Sequence, residues 1–318
     1  MPTSSVIGSV ADPFGRALYT ADGVTGAVHE YTINGTTGAL TEISGSPFSV
    51  PGLPPPSQNP QFTADLYTNA QGNFVYENNC GFSRNSAGAL TPIPGSCFPL
   101  SGASRTAADP SGKFLFQTCD LGDTLGGLPI CLIAVNQSTG QLQQAGTPPT
   151  VIQFRAADVV VHPSGNFVYA SGLIQNFPPT PSTQQIVVFS FNAATGGFTF
   201  QGGNGLPVPN QFSALAVTPN GKFVYAVDPT NIYVFAVSPS GSLLPISGFP
   251  FPGGHTFQAG SRALQFDNTG QFLYMAATDI NAVVGFKVDP NTGVFSPIPG
   301  SPFPIGATPS TMAVVRTP

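Results

Sequence analysis

Three of the six arginines in this chain, Arg105 (ASRTAAD), Arg155 (QFRAADV) and Arg262 (GSRALQF), stand at the start of runs of β-forming residues. Guanidiniums converging from separate strands make an anion site suited to carboxylate or phosphate, because each offers a planar fork of donors. The competing expectation is that each braces loop carbonyls of a neighbouring unit. His255, in FPGGHTFQAG, and Glu77, ending FVYE, are the catalytic candidates. Either could accept a proton from water attacking a carbonyl. Asp120 and Asp228 end comparable runs, and a carboxylate there could hold Ca²⁺ with loop carbonyls. No acidic calcium loop accompanies them, so no metal is assigned. Asp12, Asp109 and Asp267 precede turn glycines and read as Asx-type turn residues. His29 and His162 read as peripheral and structural. There is no Gly-x-Ser-x-Gly elbow, HExxH, phosphate loop or dinucleotide fingerprint, and no cofactor is implied.

Four cysteines, Cys80, Cys97, Cys119 and Cys131, fall in two adjacent stretches. Cys80 and Cys97 sit at one end of a hairpin, and Cys119 and Cys131 flank the loop DLGDTLGGLPI. Both pairs can meet the Cα separation of ~5.5–6 Å that a disulfide uses. An even count, local pairing and no CxxC favour two structural disulfides over free thiols or zinc.

The elements that must position these residues repeat. A short turn followed by a strand recurs around Gly15, Gly72, Gly112, Gly165, Gly221 and Gly270, at spacings of 40 to 57 residues. A second phrase ends the units: TGALTEISGSPF, AGALTPIPGSCF, SGSLLPISGFPF and TGVFSPIPGSPF. Each unit reads as inner strand, turn, second strand, third strand, Gly turn and outer strand, the composition of a propeller blade. With 37 glycines and 34 prolines in 318 residues, long helices are excluded. The expected architecture is all-β: one β-propeller domain over 1–318, of four-stranded antiparallel blades. Six full repeats are present, plus a terminal inner strand over Met312–Arg316. The alternative is a seven-bladed parent with one blade lost or incomplete. Insertions at DLGDTLGGLPI, GLIQNFPPTPSTQQ and SVPGLPPPSQNP fall on one rim and mark either a working face or length drift in loops. The phenylalanines of the SPF-type endings, Phe48, Phe98, Phe251 and Phe303, are expected to wedge between blades.

Charged residues make up 7% of the chain, with a net charge of −5 and only three lysines, which excludes a phosphate-backbone partner. No apolar run reaches the ~20 residues of a membrane-spanning helix. The opening MPTSSVIGSV lacks the basic and apolar regions of a signal peptide. That leaves either a leader absent from this chain or a cytoplasmic protein. The low charge and the expected disulfides favour a secreted, periplasmic or cell-surface location.

DPSGKFLFQT (109–118), HPSGNFVYAS (162–171), TPNGKFVYAVD (218–228) and the Gly-led outer strands with SPF endings resemble the YVTN-type repeats of the lactonase-like propeller family, which includes bacterial 6-phosphogluconolactonase. The resemblance covers nearly the whole chain. It implies a propeller, commonly seven-bladed, and a lactone hydrolase that uses the arginines to hold an anion and His255 or a carboxylate to activate water. The scaffold also hosts plain binding proteins. Few histidines and carboxylates accompany the arginines. The expectation from sequence is therefore a propeller binding a small molecule or protein at its channel mouth, with lactone hydrolysis as the alternative and a structural envelope protein as a third reading.

Overall fold

The computed structural model describes residues 6–49, 65–77, 80–95, 97, 105–118, 130–145, 154–174, 183–203, 212, 214–248, 250–257, 263–305, 309 and 311–315. No described residue is helical. Six sheets follow one another along the chain, each a four-stranded antiparallel meander, with a fifth short strand added in blades five and six. The fold is the expected β-propeller.

The inner strands, Val6–Ala11, Leu66–Thr68, Thr106–Ala108, Phe154–Val161, Ala214–Val217 and Leu264–Phe266, lie side by side around the axis. Each turns back through the repeated glycine. In blade four Gly165 donates to the His162 carbonyl (2.8 Å) at a φ of +73°, a conformation that side chains with a Cβ resist. In blade one Asp12 accepts from the Phe14 amide (2.6 Å) inside its turn, and Asp267 accepts from the Phe272 amide (2.9 Å) in blade six. These aspartates therefore serve the turns, as their spacing predicts.

The core lies between blades. Five apolar clusters fill the five successive joints from blade one to blade six. A repeated contact closes three of them. Tyr76 donates to the Gly140 carbonyl (2.9 Å) and Tyr169 to the Gly241 carbonyl (3.1 Å), and Tyr225 likewise to Gly293. In each case the phenylalanine two residues before the tyrosine packs on the same turn glycine of the next blade. Between blades one and two an ion pair takes this place, Arg84 donating to Glu30 (3.0 Å) beside Gly88. Phe48 and Phe251 pack against the clusters of their own joints, as expected of SPF wedges. Phe98 lies outside the described residues.

Two features differ from the sequence expectation. The insertion GLIQNFPPTPSTQQ is partly strand: the second and third strands of blade four run to Ile174 and from Thr183, paired with each other, so the insertion lengthens a hairpin. Residues 175–182 at its tip lie outside the described residues, as do the loop 119–129 and the connector 50–64. The tail, expected as an inner strand over Met312–Arg316, has no ladder: residues 311–315 are half-buried and unassigned to any strand, and Arg316 lies outside the described residues. The Thr311 hydroxyl meets that of Ser9 on the first inner strand (3.1 Å).

Candidate functional site

One register of the inner strands carries the charges of the channel. The residue seven positions before the turn glycine is Asp65 in blade two, Arg105 in blade three and Asp158 in blade four. The pairing confirms a common height. Asp158 stands opposite Ser171, and the Arg105 carbonyl accepts from the Thr118 amide (3.0 Å), each partner six residues past its glycine. Blades one, five and six place Gly8, Ala214 and Ala263 at this position, so the charged arc spans three adjacent blades.

Asp65 and Asp158 are buried, at 2% and 5% exposure. Together with Thr106, Leu215 and Gln265 they line a hollow of about 240 Å³ at the axis. Asp158 accepts from its neighbour Val159 (2.9 Å) and, across the joint, from the Leu215 amide of blade five (2.7 Å). These bonds fix the carboxyl without protonating it. Burial pushes its pKa up to about 6, against the opposing pull of the Arg105 charge and the two amides, and the nearby Asp65 adds to the rise. The Thr106 hydroxyl accepts from Gln117 (3.3 Å) on the second strand behind it. A carboxylate titrating near 6 and held beside a guanidinium can take a proton from water and have the resulting charge compensated at once.

The residues singled out from sequence scatter around this arc. Arg105 belongs to it. Arg155 lies at the mouth end of the blade-four inner strand, opposite Leu173, and is exposed. Arg262 lies outside the described residues, as does Asp120. His255 pairs with Asp279 (3.3 Å), which stands in the turn between the second and third strands of blade six. Glu77 ends the second strand of blade two with 1% exposure, and neither carboxylate oxygen has a hydrogen-bond partner among the described residues. Burial, reinforced by the charge of Asp22, raises its pKa to about 8. Glu77 and His255 thus sit in separate surroundings. Asp228 accepts from the Thr230 amide (2.8 Å), the Asn231 amide (2.6 Å) and the Tyr233 hydroxyl (2.8 Å), and so shapes its own turn. Among the described residues no group of three His, Cys, Asp or Glu could share a metal ion.

Asp65 and Asp158 were not singled out from sequence. The signal was available: aligning the units on their turn glycines, and not on the arginines, puts all three channel charges in one column. Arg155 and Arg262 lie ten and eight residues before theirs, outside it.

Cys80 and Cys97 form the expected disulfide, with a Cα separation of 4.2 Å. Cys131 is also disulfide-bonded, while Cys119 lies outside the described residues. No described helix is long and apolar enough to cross a membrane.

Residues 200–307 match the sequence profile of a family described as lactonase, 7-bladed beta-propeller. No curated protein matches the sequence. Among solved structures, a candidate 6-phosphogluconolactonase from Bacteroides uniformis shares 17% identity at a TM-score of 0.71, over 96% of this chain and 86% of that one. The periplasmic gluconolactonase PpgL of Pseudomonas aeruginosa shares 18% at 0.70, over 98% and 88%. A Lactobacillus plantarum protein shares 18% at 0.69, over 94% and 85%. The sequence expectation of a binding protein without chemistry is corrected here. The matched family is described as a lactonase, and two of these three neighbours carry lactonase names, which favours the hydrolase alternative over the non-catalytic reading. By fold the chain is a β-propeller, and its residues 200–307 are similar to the lactonase propeller family.

Proposed function

We propose that this chain hydrolyses a sugar lactone at the axial hollow. The observation that carries the reading is the arc Asp65, Arg105 and Asp158, one height on three adjacent inner strands, with Asp158 poised near pH 6. Asp158, ionised, removes a proton from water as the water oxygen bonds the lactone carbonyl carbon. The carbonyl oxygen gains the negative charge, and Arg105 stabilises it. Collapse breaks the bond to the ring oxygen, which leaves with the proton from Asp158, giving the open aldonic acid, whose carboxyl releases the second water proton to solvent and becomes the aldonate. Asp65 supports the cycle by keeping Asp158 from becoming too weak a base. The Cys80–Cys97 disulfide supports placing this activity in an oxidising compartment such as a periplasm.

Base uptake in a pH-stat, with glucono-δ-lactone and 6-phosphogluconolactone as separate substrates, tests the reading against spontaneous ring opening. The expected result is acceleration of one of them, with kcat/KM rising through about pH 6. Asp158→Asn should lower kcat about a hundredfold or more, and Arg105→Ala by a similar factor, each at unchanged Tm. Arg155→Ala and His255→Ala should keep most of the activity. Hydrolysis no faster than the spontaneous rate for both lactones, or an Asp158→Asn variant as active as the parent, would overturn the reading.

A further inference from the structure

The axial hollow holds more negative charge than positive. Asp65 and Asp158 line it from blades two and four, both buried, and Arg105 stands on the blade-three strand between theirs. Above about pH 6 Asp158 is ionised, so the arc sets two carboxylates against one guanidinium. Thr106 and Gln265 are the neutral polar groups of the lining, and Leu215 and Leu264 give it an apolar wall. The Thr106 oxygen already accepts from Gln117, which leaves its own hydroxyl proton to turn into the hollow.

The other described cations stand elsewhere. Arg16 pairs with Asp12 in the blade-one turn, and Arg84 with Glu30 in the joint between blades one and two. Lys113 and Lys222 follow their turn glycines, at the ends of the inner strands away from the mouth. Lys287 is exposed on the third strand of blade six. Arg155 is exposed three residues nearer the mouth than Asp158, and Arg262 and Arg316 lie outside the described residues. No described residue is helical, so no helix start among them offers its amides to an anion. A phosphate in the hollow would face Asp65 and Asp158 where burial weakens screening. It would also compete for Arg105 with the oxyanion that forms during ring opening.

We infer that the hollow takes an uncharged, polyhydroxylated lactone and rejects its phosphorylated counterpart, with Asp65 as the residue that sets this choice. The inference rests on the hydrolase reading above and narrows its substrate. Ring hydroxyls suit the lining: carboxylates and the Gln265 carbonyl accept from them, Thr106 donates to them, and the carbon face of the ring lies on Leu215 and Leu264. A phosphate dianion has no hydroxyl to give those acceptors. Asp65 transfers no proton in the reaction, so its charge acts on the substrate and on the basicity of Asp158. A change in that basicity affects both lactones alike and cancels in the ratio of their rates. The charge of Asp65 is what remains in the ratio.

The test measures kcat/KM for glucono-δ-lactone and 6-phosphogluconolactone with the full chain, at low and high salt, for the parent and Asp65→Asn. Calorimetry alongside measures binding of the non-hydrolysable gluconolactam and its 6-phosphate. The parent should prefer the unphosphorylated lactone by about tenfold or more, and salt should shrink the preference by screening the repulsion. Asp65→Asn should remove most of the preference and of its salt dependence. The salt response of the parent decides the matter even where the variant does not fold. A parent that prefers the phosphorylated lactone would overturn the inference and leave the hydrolase reading standing. Loss of that preference in Arg155→Ala or Arg262→Ala would then place the phosphate at the mouth. Asp65→Asn with the parent's ratio and salt response would also overturn it. No turnover of either lactone, with gluconolactam bound more tightly than its phosphate, would sink the hydrolase reading and support the charge selection. Binding of neither lactam would sink both.

Discussion

A carboxylic acid buried without a hydrogen-bond partner is costly when charged, and Glu77 shows the consequence. Its pKa of about 8 in the folded chain stands against 4.5 as the ordinary value. Between those two pH values the native state holds a proton that the unfolded chain has released, so stability falls as pH rises through that window. Glu77→Gln is neutral throughout. Urea unfolding should find the variant close to the parent at pH 4 and more stable at pH 9. The gain should reach the order of 3–5 kcal/mol, because each pH step across that window is worth about 1.4 kcal/mol. Parallel pH profiles for the two proteins would show that Glu77 ionises freely where it stands. Asp158 obeys the same physics with a different outcome, because two amides and Arg105 offset its burial and hold it near 6. That difference could not be read from the sequence. In both stretches an acid follows or interrupts β-formers, FVYE and AADVVV, and only the next blade's position decides which acid finds donors.

At the scale of the element, the turn glycines were legible because positive φ leaves few alternatives, and the tyrosine four residues after them was visible as a repeat. What the tyrosine does was not visible, since its acceptor is a carbonyl 64 to 72 residues away: Tyr76 to Gly140, Tyr169 to Gly241, Tyr225 to Gly293. Replacing Tyr76, Tyr169 or Tyr225 with Phe should each cost about 1 kcal/mol in urea unfolding, the net worth of a buried hydrogen bond. Tyr274→Phe should cost almost nothing in the chain as it stands. The disulfide belongs to this scale too. It closes a 17-residue separation across the third and outer strands of blade two. Reduction, or Cys80→Ala with Cys97→Ala, should lower stability by about 3 kcal/mol through the larger freedom of the unfolded chain. The hairpin ends made this pairing legible. The second bridge was equally legible as an expectation, and Cys131 is indeed bonded.

At the scale of the whole molecule, the order of the repeats was readable while the closure of the ring was not. A count of turn glycines cannot reveal whether the last flank meets the first. Leu40 is exposed where Leu90, Leu142 and Leu243 are buried, and Tyr274 is half-buried where Tyr76, Tyr169 and Tyr225 are buried, although the sequence does not distinguish them. Among the described residues five apolar joints link the six blades, and stability should be distributed accordingly. In an array where each unit contacts only its neighbours, an end unit has one stabilising interface and an internal unit has two. The burial along the second strands already follows this rule: Phe223–Val227 in blade five is buried at every position, while Ala17–Asp22 in blade one alternates between buried and half-buried over its first four. Native-state hydrogen exchange should therefore be fastest in blades one and six. The amides of Val28–Ile33 and Ala282–Val288 should exchange well before those of the matching third strands, Ile130–Val135 and Asn231–Val237. The difference should be about tenfold or more, since losing one interface removes more than about 1.4 kcal/mol of local stability. Uniform protection across all six blades would mean that the two end flanks are covered in solution, and the open joint would no longer describe the molecule.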